Sequence, residues 1–239
     1  MIKNKISNGT IYLSGGGDAE KTIDLDMCFL KNLPGKEILF IPIAKTTRSV
    51  NGYRKKREWI TNKLNELSKK PLNISMILDL DKYKNIDNFS AVYIGGGNAY
   101  KLATFMKKSG FQVILKKYID NGGIVYGASA GAIFMGKDIS THNEKKYIIE
   151  NQKFHYGLTA GLGIIGNYSL MVHFLENEYE QLNEYFQDKY NPVIAIPEGV
   201  GLVVKGKQVF VVGSKGVTIF HKNGISEKID AGSYFYCKD

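Results

Sequence analysis

Three times along this chain a short, apolar, β-prone run ends in glycine and gives way to helical spacing. Thr10–Ser14 leads into Gly15-Gly16-Gly17-Asp18, Ala91–Ile94 into Gly95-Gly96-Gly97-Asn98, and Ile124–Tyr126 into Gly127-Ala128-Ser129-Ala130-Gly131. Few architectures accept that rhythm. A helix after each strand returns the chain to the same end of the sheet, so the strands pair in parallel. Glu37–Ile43 (EILFIPI) is almost wholly apolar, as a strand covered on both faces should be. Ile74–Leu80, Ser169–His173 and Pro192–Ile196 supply further strands. The expected fold is a three-layer α/β/α arrangement around a mostly parallel central sheet.

Helical spacing places Ile23, Met27 and Leu30 on one helix before the Pro34-Gly35 break. A second helix uses Trp59, Ile60 and Leu64 as its apolar side, and a long helical region ends at Asp120 after a break near Ser109-Gly110. Lys137–Lys146 is polar, Tyr147–Ile149 is a candidate strand, Phe154–Tyr168 reads as irregular, and Glu176–Lys189 as an acidic amphipathic helix. From Gly201 short β runs alternate with turns such as Gly213-Ser214-Lys215-Gly216 and Lys222-Asn223-Gly224. Residues 201–239 therefore read as an antiparallel extension of one domain spanning 1–239, with no linker or internal repeat. A chain of 239 residues suits one sizeable core better than two.

The net charge of +9 raises the question of nucleic acid. No recognition module is present, and the densest basic run, Tyr53-Arg54-Lys55-Lys56-Arg57, opens an amphipathic helix whose solvated face explains it. Cys28 and Cys237 lack metal-ligand spacing and read as reduced thiols. The start MIKNKISNGTIYLSGGG lacks the apolar core of a signal peptide, and no run is long enough to span a membrane. A cytoplasmic protein is expected, with no nucleic acid, membrane, cofactor or metal among its partners.

Ser129 carries the chemistry. A strand that turns sharply into a helix with serine between glycines two residues either side is a nucleophile elbow, which pushes the hydroxyl beyond the strand end. Side chains at 127 or 131 should collide across the turn, and the free N–H groups of the following helix point where an oxyanion would form. The plainer alternative is a serine that caps a helix. Phosphate binding by the two triple-glycine turns is disfavoured, since neither completes GxGxxG or GxxxxGK[ST]. Of four histidines, His142, His155 and His221 fall in polar or turn segments, whereas His173 ends an apolar run and should reach the sheet edge that holds Ser129. Glu198 emerges after Val193–Ile196 and could orient the imidazole, with Glu144 and Asp138 as alternatives. Ala130 offers one oxyanion donor and the Gly96-Gly97 turn another.

Strand–GGGN–helix, GASAGA, a VHF segment and IPEG, in that order over residues 10–204, resemble the dipeptidase E (aspartyl dipeptidase) and cyanophycinase family of serine peptidases. That family shares the class I glutamine amidotransferase-like fold but carries serine where the amidotransferases carry cysteine. The resemblance implies Ser129 as nucleophile, His173 as base, Glu198 as third member, and oxyanion donors from Gly97 and Ala130. It further implies a small peptide as substrate and allows a homodimer. Two departures stand out. The usual NPHF is Met171-Val172-His173-Phe174 here, and the arginine that holds the substrate aspartate has no counterpart in Glu176–Gln181 or anywhere beyond Arg57. The expected function is hydrolysis of small peptides or related amides through an acyl-enzyme, without aspartate specificity. The competing expectation is a catalytically idle homologue that binds a small ligand at the same cleft. An amidotransferase-like subunit is disfavoured because position 129 is not cysteine.

Overall fold

The computed structural model describes residues 8–45, 49–141, 158–176 and 179–237. Strands β1 (Thr10–Ser14), β2 (Glu37–Ile41), β3 (Asn73–Met76), β4 (Ala91–Ile94) and β5 (Ile124–Ala128) are parallel neighbours in one sheet. Their crossovers are α1 (Ile23–Lys31), α2 (Val50–Leu67), a 3₁₀ turn at Leu80–Lys82, and α3 (Ala99–Lys108) with α4 (Phe111–Asp120). The last two part at Ser109-Gly110, where Gly110 has φ 69°. Antiparallel strands β8 (Val200–Lys205), β9 (Gln208–Gly213) and β12 (Tyr234–Tyr236) complete an eight-stranded sheet of order β12-β9-β8-β1-β5-β4-β2-β3.

Alternation along the parallel strands feeds two cores, because successive side chains leave opposite faces. Ile11, Leu13, Leu39, Ile41, Val92, Ile94 and Val125 share one buried cluster with residues of α3 and α4. Tyr12, Ile38, Phe40, Tyr93 and Tyr126 share the other with Leu25 and Phe29 of α1 and Ile60 and Leu64 of α2. On that second face Phe40, Tyr93, Tyr126 and Tyr12 stand opposite one another on four adjacent strands. Their ring centroids are 5.9, 4.5 and 6.5 Å apart in sequence across the sheet. Such a cross-strand ladder fixes register, since a one-residue slip would send every ring to the wrong face.

The apolar stripe expected on α1 is not its buried face. Ile23 and Met27 are 40% and 48% exposed, while Leu25, Asp26 and Phe29 are buried. The helix turns Asp26 inward to accept from Tyr126 Oη at 2.8 Å, Thr22 Oγ1 at 3.0 Å and Lys63 Nζ at 2.6 Å. A buried carboxylate with that many donors can remain in the core, and it sets the helix rotation. Trp59 is likewise exposed, with Lys56 Nζ 3.6 Å from its ring centroid, whereas Ile60 and Leu64 are buried as expected.

The strands expected to extend the central sheet divide instead. β6 (Ser169–Val172), β7 (Val193–Ile196), β10 (Val217–Phe220) and β11 (Ser226–Ile229) form a separate sheet of order β11-β10-β7-β6, with β6 and β7 parallel. β8 already pairs with the free side of β1, so the central sheet has no place there for β6 or β7. The tail of the chain therefore extends both sheets, β8, β9 and β12 in one and β10 and β11 in the other. One face of the second sheet joins the first core through Leu170, Val172, Ile194 and Ile196, and the other packs Met171, Val193 and Ala195 on Leu182 and Tyr185 of α6 (Tyr179–Asp188). The candidate strand at 147–149 lies outside the described residues. Among the described residues no helix is long and apolar enough to cross a membrane.

Backbone hydrogen bonds splice the sheets at the turn that follows β1. His173 N donates to Gly15 O at 2.9 Å, Gly15 N to Val200 O at 2.9 Å, and Gly199 N to Gly16 O at 3.0 Å. The carboxyl ends of β1, β5, β6 and β7 thereby meet at one place.

Candidate active site

Ser129 joins β5 to α5 (Ala130–Met135) with φ 50° and ψ −108°. His173, just beyond β6, has φ 57°, and these two are the only non-glycine residues with positive φ among the described residues. Such backbone is held only where surrounding structure over-determines it, and it concentrates at functional sites. The elbow is fixed from several directions. Ser129 N donates to Ser14 O at 3.2 Å, and Ala130, Ile133, Phe134 and Met135 behind it are buried. A Cβ at Gly127 would come within 2.7 Å of Gly131 O, a collision across the turn as expected. A Cβ at Gly131 would instead meet Ile94 O at 2.5 Å, so that glycine is required by the neighbouring strand β4 and not by the turn.

The expected trio converges, although its members come from different sheets. Ser129 Oγ lies 2.9 Å from His173 Nε2, and His173 Nδ1 lies 3.0 Å from Glu198 Oε1. An ionised carboxylate can only accept, so Nδ1 carries the proton toward Glu198 and Nε2 is left to accept from the Ser129 hydroxyl. The imidazole sits directly on the Gly16 backbone, where a Cβ would overlap its ring. This half of the site is open, with His173 and Glu198 side chains 36% and 39% exposed.

Glu198 has a second partner that the sequence reading did not find. Lys21 Nζ donates to Oε2 at 2.9 Å. The hydrogen bond from Lys21, followed by that from His173, holds the Glu198 carboxyl below the usual range, and the same contact raises the Lys21 ammonium. Because the folded-state value is depressed, whatever stability this carboxylate contributes is present at neutral pH and is lost as pH falls through that value. At this exposure the contribution is small. Lys21 follows the first glycine turn, but its partner is 177 residues away, so no local pattern announces the pair.

The oxyanion candidates are in place as backbone. A Cβ at Gly96 would lie 3.1 Å from Ser129 Cβ, so the Gly96-Gly97 turn flanks the serine. Neither Gly97 nor Ala130 N–H has a hydrogen-bond acceptor among the described residues. Asp138, an alternative third member, is engaged elsewhere. Burial pushes its carboxyl up, but donors from Lys189, Ser140 and Thr159 outweigh this and leave it below the usual range. His221 sits in the β10–β11 turn beside α6 residues Leu182 and Phe186. His142, His155 and Glu144 lie outside the described residues.

A serine at a strand-to-helix elbow, in hydrogen-bond series with an imidazole and a carboxylate at the carboxyl ends of parallel strands, defines a serine hydrolase on an α/β/α scaffold. The profile of Peptidase family S51 matches residues 6–212, and the chain belongs to that family of serine-type peptidases. It is 27% identical to Peptidase E of Streptomyces coelicolor over 164 residues, 64% of either chain. It is 26% identical to Peptidase E of Haemophilus influenzae over 231 residues, 93% of this chain and 94% of the relative. Among solved structures, a peptidase from an acI-B1 Actinobacterium superposes with a TM-score of 0.73 at 20% identity, covering 99% of this chain and 100% of that one, a likeness of fold.

Proposed function

We propose that this peptidase cleaves small peptides or related amides through Ser129, His173 and Glu198, without preference for aspartate. As Ser129 Oγ attacks the scissile carbonyl carbon, His173 Nε2 takes the hydroxyl proton, and the carbonyl π pair moves onto oxygen. The N–H groups of Ala130 and Gly97, with Gly96 adjacent, receive that oxyanion. Collapse of the intermediate expels the amine, which leaves with the proton from Nε2, and an acyl-Ser129 remains. Water, deprotonated by the same nitrogen, releases the acid. Glu198 keeps the productive tautomer and stabilises the imidazolium through Nδ1. The observation that carries this reading is the continuous series of 2.9 and 3.0 Å contacts from Ser129 through His173 to Glu198.

Charge around the cleft bears on specificity. Between His173 and α6 the described residues are Phe174, Leu175 and Glu176, and Glu180 opens α6 on its exposed side. None offers the guanidinium that would pair with an aspartate carboxylate. Glu178 and Arg48 lie outside the described residues, and Arg54 and Arg57 belong to α2. The expected result is that kcat/KM on Asp-Xaa dipeptides is no higher than on Ala-, Leu- or Lys-led ones, with every activity lost in Ser129→Ala. A clear preference for N-terminal aspartate would contradict the specificity, and residual turnover in Ser129→Ala would contradict the mechanism.

A further inference from the structure

The first glycine turn has no part in the chemistry proposed above, yet each of its residues abuts the base half of the site. A Cβ at Gly15 would run into Pro197 O, and one at Gly16 into the His173 ring. A Cβ at Gly17 would press on the Lys21 stem, 3.0 Å from its Cβ and 3.1 Å from its Cδ. In order, then, the three glycines make room for the residue before Glu198, for the imidazole, and for the Lys21 side chain. Asp18 Oδ1 accepts from Lys21 N at 2.9 Å, a local side-chain bond that fixes the backbone from which Lys21 projects.

Glu198 meets two donors on two oxygens, His173 Nδ1 on Oε1 and Lys21 Nζ on Oε2. A glutamate 39% exposed and held by one oxygen alone would be free to swing toward water. We propose that Lys21 is a positioning residue for peptide hydrolysis: by holding Oε2 it keeps Oε1 on His173 Nδ1 and so keeps Nε2 aimed at Ser129. The inference rests on the Ser129–His173–Glu198 reading given above. It also adds a charge effect. Lys21 and His173 face Glu198, and Asp18 stands beside Lys21. A cation at this position opposes protonation of the Glu198 carboxylate. Since Lys21 and Glu198 are 53% and 39% exposed, the ion pair itself adds little to folding stability, which separates positioning from scaffolding.

The test compares Lys21→Met, Lys21→Arg and Glu198→Gln with the wild type on the best dipeptide substrate. The readouts are kcat and KM across pH, and thermal melting. Lys21→Met should lower kcat about threefold to tenfold while KM stays within about twofold. Its acid limb of kcat/KM should move to higher pH and its melting temperature should stay within about 2 °C of wild type. Lys21→Arg should restore both kcat and the pH profile, since it keeps the cation and its donors. Glu198→Gln should fall further, by about 10²-fold or more. Wild-type kcat and pH profile in Lys21→Met beside an impaired Glu198→Gln would overturn this inference alone. So would a large loss of melting temperature in Lys21→Met that Lys21→Arg fails to rescue. Full activity in Glu198→Gln would overturn the triad reading, and the role of Lys21 with it.

Discussion

The two halves of the site are held in different ways. Ser129 rests on the central sheet, above the fully buried Tyr126 and ahead of an α5 helix that is buried throughout. His173 and Glu198 come from the second sheet, are more than a third exposed, and rely on Gly16 for seating and Lys21 for an outer anchor. Close packing fixes Ser129, because an interior at crystal-like density leaves a strained backbone nowhere to relax. Polar contacts on an open surface fix His173 and Glu198, and those are individually weak. The Gly15-Gly16 backbone seats the imidazole and accepts from His173 N and Gly199 N, so changes there should damage catalysis far more than changes of similar size beneath the elbow.

The sharpest break in that comparison is Gly16→Ala. Its φ is 98°, and the new methyl would occupy the space of the imidazole. The ring must move off the Ser129 axis, and kcat should fall by about 10²-fold or more, since small misplacements at a reacting centre are that costly. Strained backbone should add a loss of stability of about 1–3 kcal/mol. Kinetics on a folded sample, verified by circular dichroism, would decide the matter. Near-wild-type kcat would mean that the base does not depend on this seat.

A smaller effect on turnover is expected from Tyr126→Phe. Removing the 2.8 Å bond to the buried Asp26 should destabilise the fold by about 1–3 kcal/mol in denaturant titration. Lys63 and Thr22 still serve that carboxylate, so kcat should stay within about twofold of wild type. If turnover collapsed along with stability, the aromatic layer would be setting the elbow directly and the two regions would not be separable.

Much of this was legible in the chain. The β1, β4 and β5 runs, each with its glycine turn, locate the parallel sheet, and the break at Ser109-Gly110 divides α3 from α4 where expected. Ser129 was readable because the elbow is a local steric pattern, and His173 and Glu198 because each ends a buried strand. What could not be read was pairing at long range. Nothing in Ser169–Val172 says that β8 will take the place beside β1 and leave β6 to a second sheet. The rotation of α1 was hidden for a related reason. Asp26 looks like a solvent-facing residue until Lys63, Thr22 and Tyr126 are brought around it. Lys21 and the first glycine turn gain their meaning only from segments more than 150 residues away.

The central claim is that His173, reaching across from a second sheet, activates the serine at the elbow. Fluorophosphonate labelling followed by intact-mass and peptide mapping tests it most directly, since only an activated serine reacts quickly. The account predicts one adduct, on Ser129, absent in Ser129→Ala and formed at least about 10²-fold more slowly in His173→Ala. An adduct on another residue, or labelling of His173→Ala at the wild-type rate, would contradict it.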